Sequence, residues 1–175
     1  MGAVMAPYSH FEAEVTSQDI LRGRPPSGAM PLGPQAGELT RVQPGDVLVA
    51  VVPRTVARVA TVEQVGAVLG RGVHAVRIDP QVLDPWFVAG AISAADSRRI
   101  AGQVTSTLSG TPRADVRRLQ IPVLPIETQQ LHGKAHRRLA EFETLVLQAA
   151  ERSCDIAREL ASGLVNQTLE PEPGQ

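Results

Sequence analysis

The chain has 175 residues, 43% apolar and 20% charged, so it can build one packed core and does not have the composition of a disordered polymer. A net charge of −1 supplies no global pull toward nucleic acid or acidic lipid, and 3% aromatic residues are too few for a base-stacking platform. The one cysteine, Cys154, excludes an internal disulfide and a cysteine-built metal site. No run reaches the ~18 apolar residues of a membrane span. No basic start followed by an apolar run marks a secretory signal, so a cytoplasmic location is expected.

In chain order, residues 1–40 are rich in Pro, Gly and Ser (Pro25-Pro26, Gly28, Pro31, Gly33, Pro34). They read as loop or short edge structure rather than helix, with 1–14 and 25–38 loop-like. Gln43-Pro44-Gly45-Asp46 is a turn signal. The β-branched run of residues 46–52 then reads as a buried strand. Pro53-Arg54 breaks it, and residues 55–62 read as a second strand completing a hairpin. Residues 73–78 alternate and predict a third strand. Asp84-Pro85-Trp86-Phe87 opens a helix with Asp84 as its cap, Pro85 at its first position, and Trp86, Val88 and Ile92 facing the core. A further helix is expected over 95–104, a loop over 106–113, and a short edge strand at Leu119-Gln120-Ile121-Pro122-Val123, where Pro122 cannot donate a ladder bond.

From Pro125 to Pro171 there is no proline and only two glycines, Gly133 and Gly163, which predicts one helix over about 127–169, followed by a disordered tail at 170–175. Such a helix is roughly 60 Å long at 1.5 Å per residue, which asks for an explanation. Ala135, Leu139, Phe142, Val146, Ala149, Ser153, Ile156 and Leu160 follow one another at heptad spacing, with Ser153 the one polar lapse. The apolar surface is wider than this seam, because Leu145, Leu147, Ala150, Cys154 and Ala157 flank it. The expectation is a partner helix from another chain along Ala135, Leu139, Phe142, Val146, Ala149, Ile156 and Leu160. The competing expectation is a helix folded back on its own domain.

Of the 17 basic residues, all but Lys134 are arginines, planar forks suited to phosphates and guanine edges. Residues 1–126 carry a balance of +2 and residues 127–175 one of −3. Arg98, Arg99, Arg113, Arg117 and Arg118 form a local basic cluster. Asp84-Pro85-Trp86-Phe87 resembles the Asp-Pro-Pro-Phe/Tyr motif of amino-methyltransferases, but no glycine-rich strand–turn–helix for a methyl donor precedes it, and the capped-helix reading accounts for these residues. His132 and His136 are one helical turn apart without a third ligand at metal spacing, His10 and His74 are isolated, and Gly66, Gly70 and Gly72 form no phosphate-binding fingerprint. No catalytic residue, metal site or cofactor is expected.

The order of these features resembles the specificity (S) subunits of type I restriction–modification systems. Val42-Gln43-Pro44-Gly45-Asp46-Val47-Leu48-Val49 is similar to that family's Gly-Asp strand entry, and Val15-Thr16-Ser17-Gln18-Asp19-Ile20-Leu21-Arg22-Gly23 to its Asp-Ile…Gly segment. Asp84-Pro85-Trp86-Phe87-Val88 through Ile92-Ser93 resembles its Pro-x-Phe/Tyr-Leu…Leu-x-Ser helix, with Ile100 and Ser109-Gly110 matching the next helix and turn. The run from Val116 through Ile121-Pro122-Val123 to Glu127-Thr128-Gln129 resembles the junction into that family's long helix. The likeness covers roughly residues 15–169, without the family's Gly-x-Thr-Pro lead-in. Leu160-Ala161-Ser162-Gly163-Leu164 with Thr168-Leu169-Glu170-Pro171 is also similar to the end of N6-adenine DNA methylases that carry a fused recognition domain.

The resemblance implies an α/β (α+β) target recognition domain over 1–126, followed by a coiled-coil spacer helix. It implies a non-catalytic half-subunit that dimerises, reads double-stranded DNA, and docks a methyltransferase (M) subunit and, beyond it, a restriction subunit. Base readers are expected at Arg54, Thr55 and Arg58 on the hairpin, then at Ser109, Thr111 and Arg113, with Arg22, Arg24 and Arg117 on the phosphate backbone. The alternative is a coiled-coil assembly or adaptor protein that binds no DNA. An amino-methyltransferase fragment is a third and weaker reading.

Overall fold

The computed structural model describes residues 11–31, 39–51, 54–95 and 121–166. The chain has mixed α/β character: two small sheets, short helices and a long C-terminal helix. The elements are β1 (Phe11–Val15), α1 (Ser17–Arg22), β2 (Gly28–Pro31), β3 (Val47–Ala50), β4 (Val56–Val59), a 3-10 turn (Val62–Gln64), β5 (Val68–Leu69), β6 (Val73–Val76), α2 (Pro85–Ala95) and α3 (Ile126–Val165).

The first sheet has the order β2-β1-β5, with β2 antiparallel and β5 parallel to β1. Parts of the stretches expected to be loop-like, 1–14 and 25–38, are therefore strands. Phe11-Glu12-Ala13-Glu14-Val15 alternates with the strand period, and Pro31 sits at the end of its ladder opposite Phe11, where a missing donor costs least. Between them lies a helix inside the proline-rich segment that was expected to hold none. Thr16 and Asp19 form a reciprocal capping box, and Gly23 closes the helix in the left-handed region at φ 61°. Asp19 is fully buried, and its carboxylate accepts from the Thr16 and Ser27 backbone amides, both hydroxyls and Arg24.

The second sheet, β4-β3-β6, is antiparallel throughout, and β3 with β4 is the expected hairpin. Before β3, the Asp46 amide donates to the Gln43 carbonyl across the turn, with Gly45 at φ 81°. All four residues of β3 are buried, because both faces of the strand are covered. Leu48 and Ala50 join Val15, Ile20 and Val56 in one core, while Val47 and Val49 join Val88, Ala89 and Ile92 of α2 in the other. β4 ends at Val59, short of the expected Val62, because the chain turns into the 3-10 segment, where Val62 is exposed. β6 likewise ends at Val76.

α2 begins as its sequence suggests, with an Asp84 carboxylate oxygen accepting from the Phe87 amide at 2.8 Å. Val88 and Ile92 are buried as expected, but Phe87 rather than Trp86 enters the core, and Trp86 is half-buried. Residues 121–125 form no strand, and α3 starts directly after Pro125. The expected helix beyond Ala95, the loop at 106–113 and residues 119–120 lie outside the described residues.

The environment of Asp19 predicts an acid-sensitive head. Burial acts to raise its pKa, but the hydrogen bonds from Ser27, Thr16 and Arg24 prevail and hold it below the ordinary carboxylate value. A depressed folded pKa contributes stability that is complete above the unfolded value of about 3.9 and is lost as pH falls through the folded one. Urea unfolding followed as a function of pH should show this loss, and Asp19→Asn should flatten that limb while costing about 2 kcal/mol at neutral pH.

Candidate functional site

The long helix α3 has two distinct faces. One stripe, Gln129, Gly133, His136, Ala140, Thr144 and Leu147, recurs at helical spacing and lies against the head. Gln129 is buried; its side-chain carbonyl accepts from the Asp84 amide, and its NH2 group donates to the Val82 and Leu124 carbonyls. It thereby joins the start of α2 to the start of α3. One turn on, Gly133 is buried where a Cβ would run into the Asp84 carboxylate, and the His136 ring lies against Gly90 of α2. The two glycines let the helices approach closely.

Further along, Arg58 of β4 reaches the same face. It donates to the Ala140 carbonyl at 3.0 Å and the Thr144 hydroxyl at 3.1 Å, and it pairs with Glu143 at 2.8 Å. Burial pulls its ionisation downward, the Glu143 charge opposes that, and the neighbouring Arg54 adds to it. Arg22 of α1 pairs with Glu151 still further along the rod.

The heptad seam lies on the other side. At about 100° per residue, Ala135, Phe142, Val146, Ala149, Ile156 and Leu160 point away from the stripe that meets the head. Their exposure follows: 65% for Phe142, 57% for Ile156 and 52% for Leu160, with Leu139 at 63%. Of the two expectations for this helix, the one that folds it back on its own domain holds for the first face. It does pack on its own domain, and its seam stays bare. Beside the seam runs a groove of 770 Å³ between α2, β4 and α3, lined by Trp86, Gly90, Ser93, Leu139, Phe142 and Val146 and bounded by Arg54 and Glu143.

The residues expected to read DNA are placed as follows. Thr55 is 3% exposed and Arg58 is 9% exposed, so neither presents its side chain to a duplex in this arrangement. Arg58 is instead a brace between the sheet and α3. Arg54 is exposed but pairs with Glu143 at 3.4 Å. Arg22 is held by Glu151, and Arg24 pairs with the buried Asp19 at 2.8 Å and contacts Ser27. Ser109, Thr111, Arg113 and Arg117 lie outside the described residues, as do Arg98, Arg99 and Arg118. The geometry thus brings Arg54 and Arg58 together on Glu143 and leaves Arg22 and Arg24 on separate carboxylates.

Asp84-Pro85-Trp86-Phe87 is occupied with structure rather than chemistry: Asp84 caps α2, and Phe87 is buried with its ring tilted toward His132 at 6.2 Å. The Arg137 guanidinium stands 5.9 Å from the Trp86 ring centroid. Among the described residues, no group of three His, Cys, Asp or Glu could hold a metal, and no helix is long and apolar enough to cross a membrane. Sequence reasoning gave Gln129, Glu143 and Asp19 no role in a site. For Asp19 the Thr16-x-x-Asp19 capping pattern is a usable signal, whereas nothing local marks Glu143 as the partner of two arginines far away in sequence. Compared with family models, curated proteins and solved structures, the chain finds no match.

Two substitutions check this geometry. Gly133→Ala should destabilise the fold by about 1–3 kcal/mol through overpacking against Asp84, read as a lower urea midpoint. Arg58→Met should cost about 1–3 kcal/mol in the same measurement, because it strips hydrogen bonds from Ala140, Thr144 and Glu143. An unchanged midpoint for Arg58→Met would return Arg58 to the list of free surface residues.

Proposed function

We propose that the chain is a DNA specificity module, the half-subunit of a type I-like restriction–modification methyltransferase complex, and that it dimerises through α3 and contributes no catalysis. The observation that carries this reading is the exposed apolar seam of α3, whose Leu139, Phe142 and Val146 border the groove beside the head. A helix so exposed along one side is an interface in waiting. The ordered likeness of residues 15–169 to S subunits supplies the partner classes: a second copy, an M subunit and double-stranded DNA. In this reading Arg54, Ser109, Thr111, Arg113 and Arg117 are the side chains that meet DNA, and Thr55 and Arg58 shape the hairpin that carries Arg54. Phosphate contacts by arginine would set position, and a few side chains in the major groove would read sequence. A near-neutral chain has little counterion-release drive of its own, so tight binding requires the M subunit.

A second reading is favoured by one specific observation. Arg22, Arg24, Arg54 and Arg58 are all paired with carboxylates of the same chain. An assembly protein whose head grips another protein needs no free arginines there. Gel shift of duplex DNA across a salt series, with and without an M subunit, separates the two. The specificity module gives a shift that weakens steeply with salt and tightens when the M subunit is added, whereas an adaptor gives no shift in either lane. The dimer has its own test: in solution mass measurements, Leu139→Asp and Ile156→Asp should each convert a dimer into a monomer with the far-UV helix signal largely retained.

A further inference from the structure

We propose that the groove between the head and α3 binds a small amphiphilic acid, one carboxylate on an apolar body, with the carboxylate received by Arg54 beside Arg58. The site is built within one chain, so the inference is independent of the pairing of copies proposed above.

The walls suit the apolar body. α2 and β4 supply Trp86, Ala89 and Ala57, and α3 supplies Leu139, Phe142 and Val146. The polar groups between them are already engaged by the chain itself. The Ser93 hydroxyl accepts from the Ala57 amide and donates to the Ala57 carbonyl, and the His136 ring covers Gly90. What is left is an apolar crevice of 770 Å³ with the head on one side and the rod on the other. That size lies within the ~300–1,000 Å³ of small-molecule sites, which pair apolar walls with a few placed polar groups.

The charge at one end of the crevice selects the head group. Among the described residues, the ionisable groups lining it are Arg54, Arg58, His136 and Glu143. Glu143 is shared: one oxygen accepts from Arg54 at 3.4 Å and the other from Arg58 at 2.8 Å. Two guanidiniums against one carboxylate leave a surplus of one positive charge, with His136 neutral. By contrast, Arg22, Arg24 and Arg77 each have a carboxylate of their own, and Arg137 near Trp86 has Glu141. Arg58 is 9% exposed, and its Nε is buried without a hydrogen-bond partner among the described residues. The charge of Arg54 acts against the ionisation of Arg58, so the two cations feel each other. A second carboxylate beside them removes that repulsion. Arg54 is exposed, and its long contact with Glu143 leaves its fork able to turn onto the newcomer. A surplus of one favours a monoanion, because the second charge of a phosphate monoester would face Glu143 unmatched.

Trp86 is the chain's one tryptophan and lines the groove, so its emission reports occupancy. The full-length chain is titrated with decanoate below the concentration at which it forms micelles. A saturable change in Trp86 emission is expected. Decanol, the same body without the charge, and decyl phosphate should each bind about tenfold more weakly or worse. Arg54→Gln should weaken decanoate binding about tenfold, and Glu143→Gln, which releases both arginines, should tighten it, each with the far-UV helix signal of the parent. The proposal is overturned by the absence of a saturable change, or by decanol binding as tightly as decanoate. It is equally overturned if Arg54→Gln binds like the parent or if Glu143→Gln, still folded, binds more weakly. The comparison of decanoate with decanol needs no variant, so it holds even where a substitution harms the fold.

Discussion

The close crossing of α2 and α3 fixes how the head meets the rod, and most of the molecule's geometry follows from it. Beside the buried Phe87, the contact is made of small and polar groups. It has two glycines that remove side-chain bulk, a glutamine whose polar atoms are shared among three backbone groups, and a carboxylate that caps one helix while lying against the other. Polar contacts of this kind are directional. They set the rotation of α3 about its own axis, which a greasy contact would leave loosely defined. That rotation decides which stripe of α3 is covered and which faces outward, so the seam's availability is a consequence of the glutamine and the glycines more than of the seam.

The arginine-rich composition is used largely inside the chain. Arg58 reaches backbone, hydroxyl and carboxylate groups of α3, Arg24 completes the shell around Asp19, and Arg77 pairs with Asp46 at the entrance of β3 while also donating to the Arg41 carbonyl. Each bonds to at least two groups, which suits a planar fork with several donors and would not suit lysine. The near-neutral overall charge is thus reflected locally in neutral pairs. What remains for an external anion among the described residues is the exposed Arg71, the exposed Arg54 beside Glu143, and the outward arginines of α3.

The sequence made some of this legible and hid the rest for physical reasons. The buried run at β3, the turn before it, the cap on α2 and the length of α3 all depend on neighbours in sequence, and periodicity or capping chemistry finds them. β1, α1 and β2 were obscured because proline and glycine dominate the composition around them, although Thr16, Asp19 and Gly23 carried the start and stop of α1 in plain form. Trp86 and Phe87 exchanged places because a cap fixes where a helix begins but not which of two adjacent aromatics faces inward. The burial of Arg58 depends on groups of α3 more than 80 residues away, a fact of tertiary packing that no local pattern records.

One hydroxyl has a consequence for how the molecule meets others of its kind. Ser93 of α2 both accepts from the Ala57 amide and donates to the Ala57 carbonyl, so it occupies the outward-facing backbone groups at the middle of β4. A strand in that position would otherwise be a template on which another polypeptide could extend the sheet. With that position stoppered, the backbone of Ala57 has no free donor or acceptor to offer an added strand, and the edge of the second sheet is guarded by a helix of its own chain.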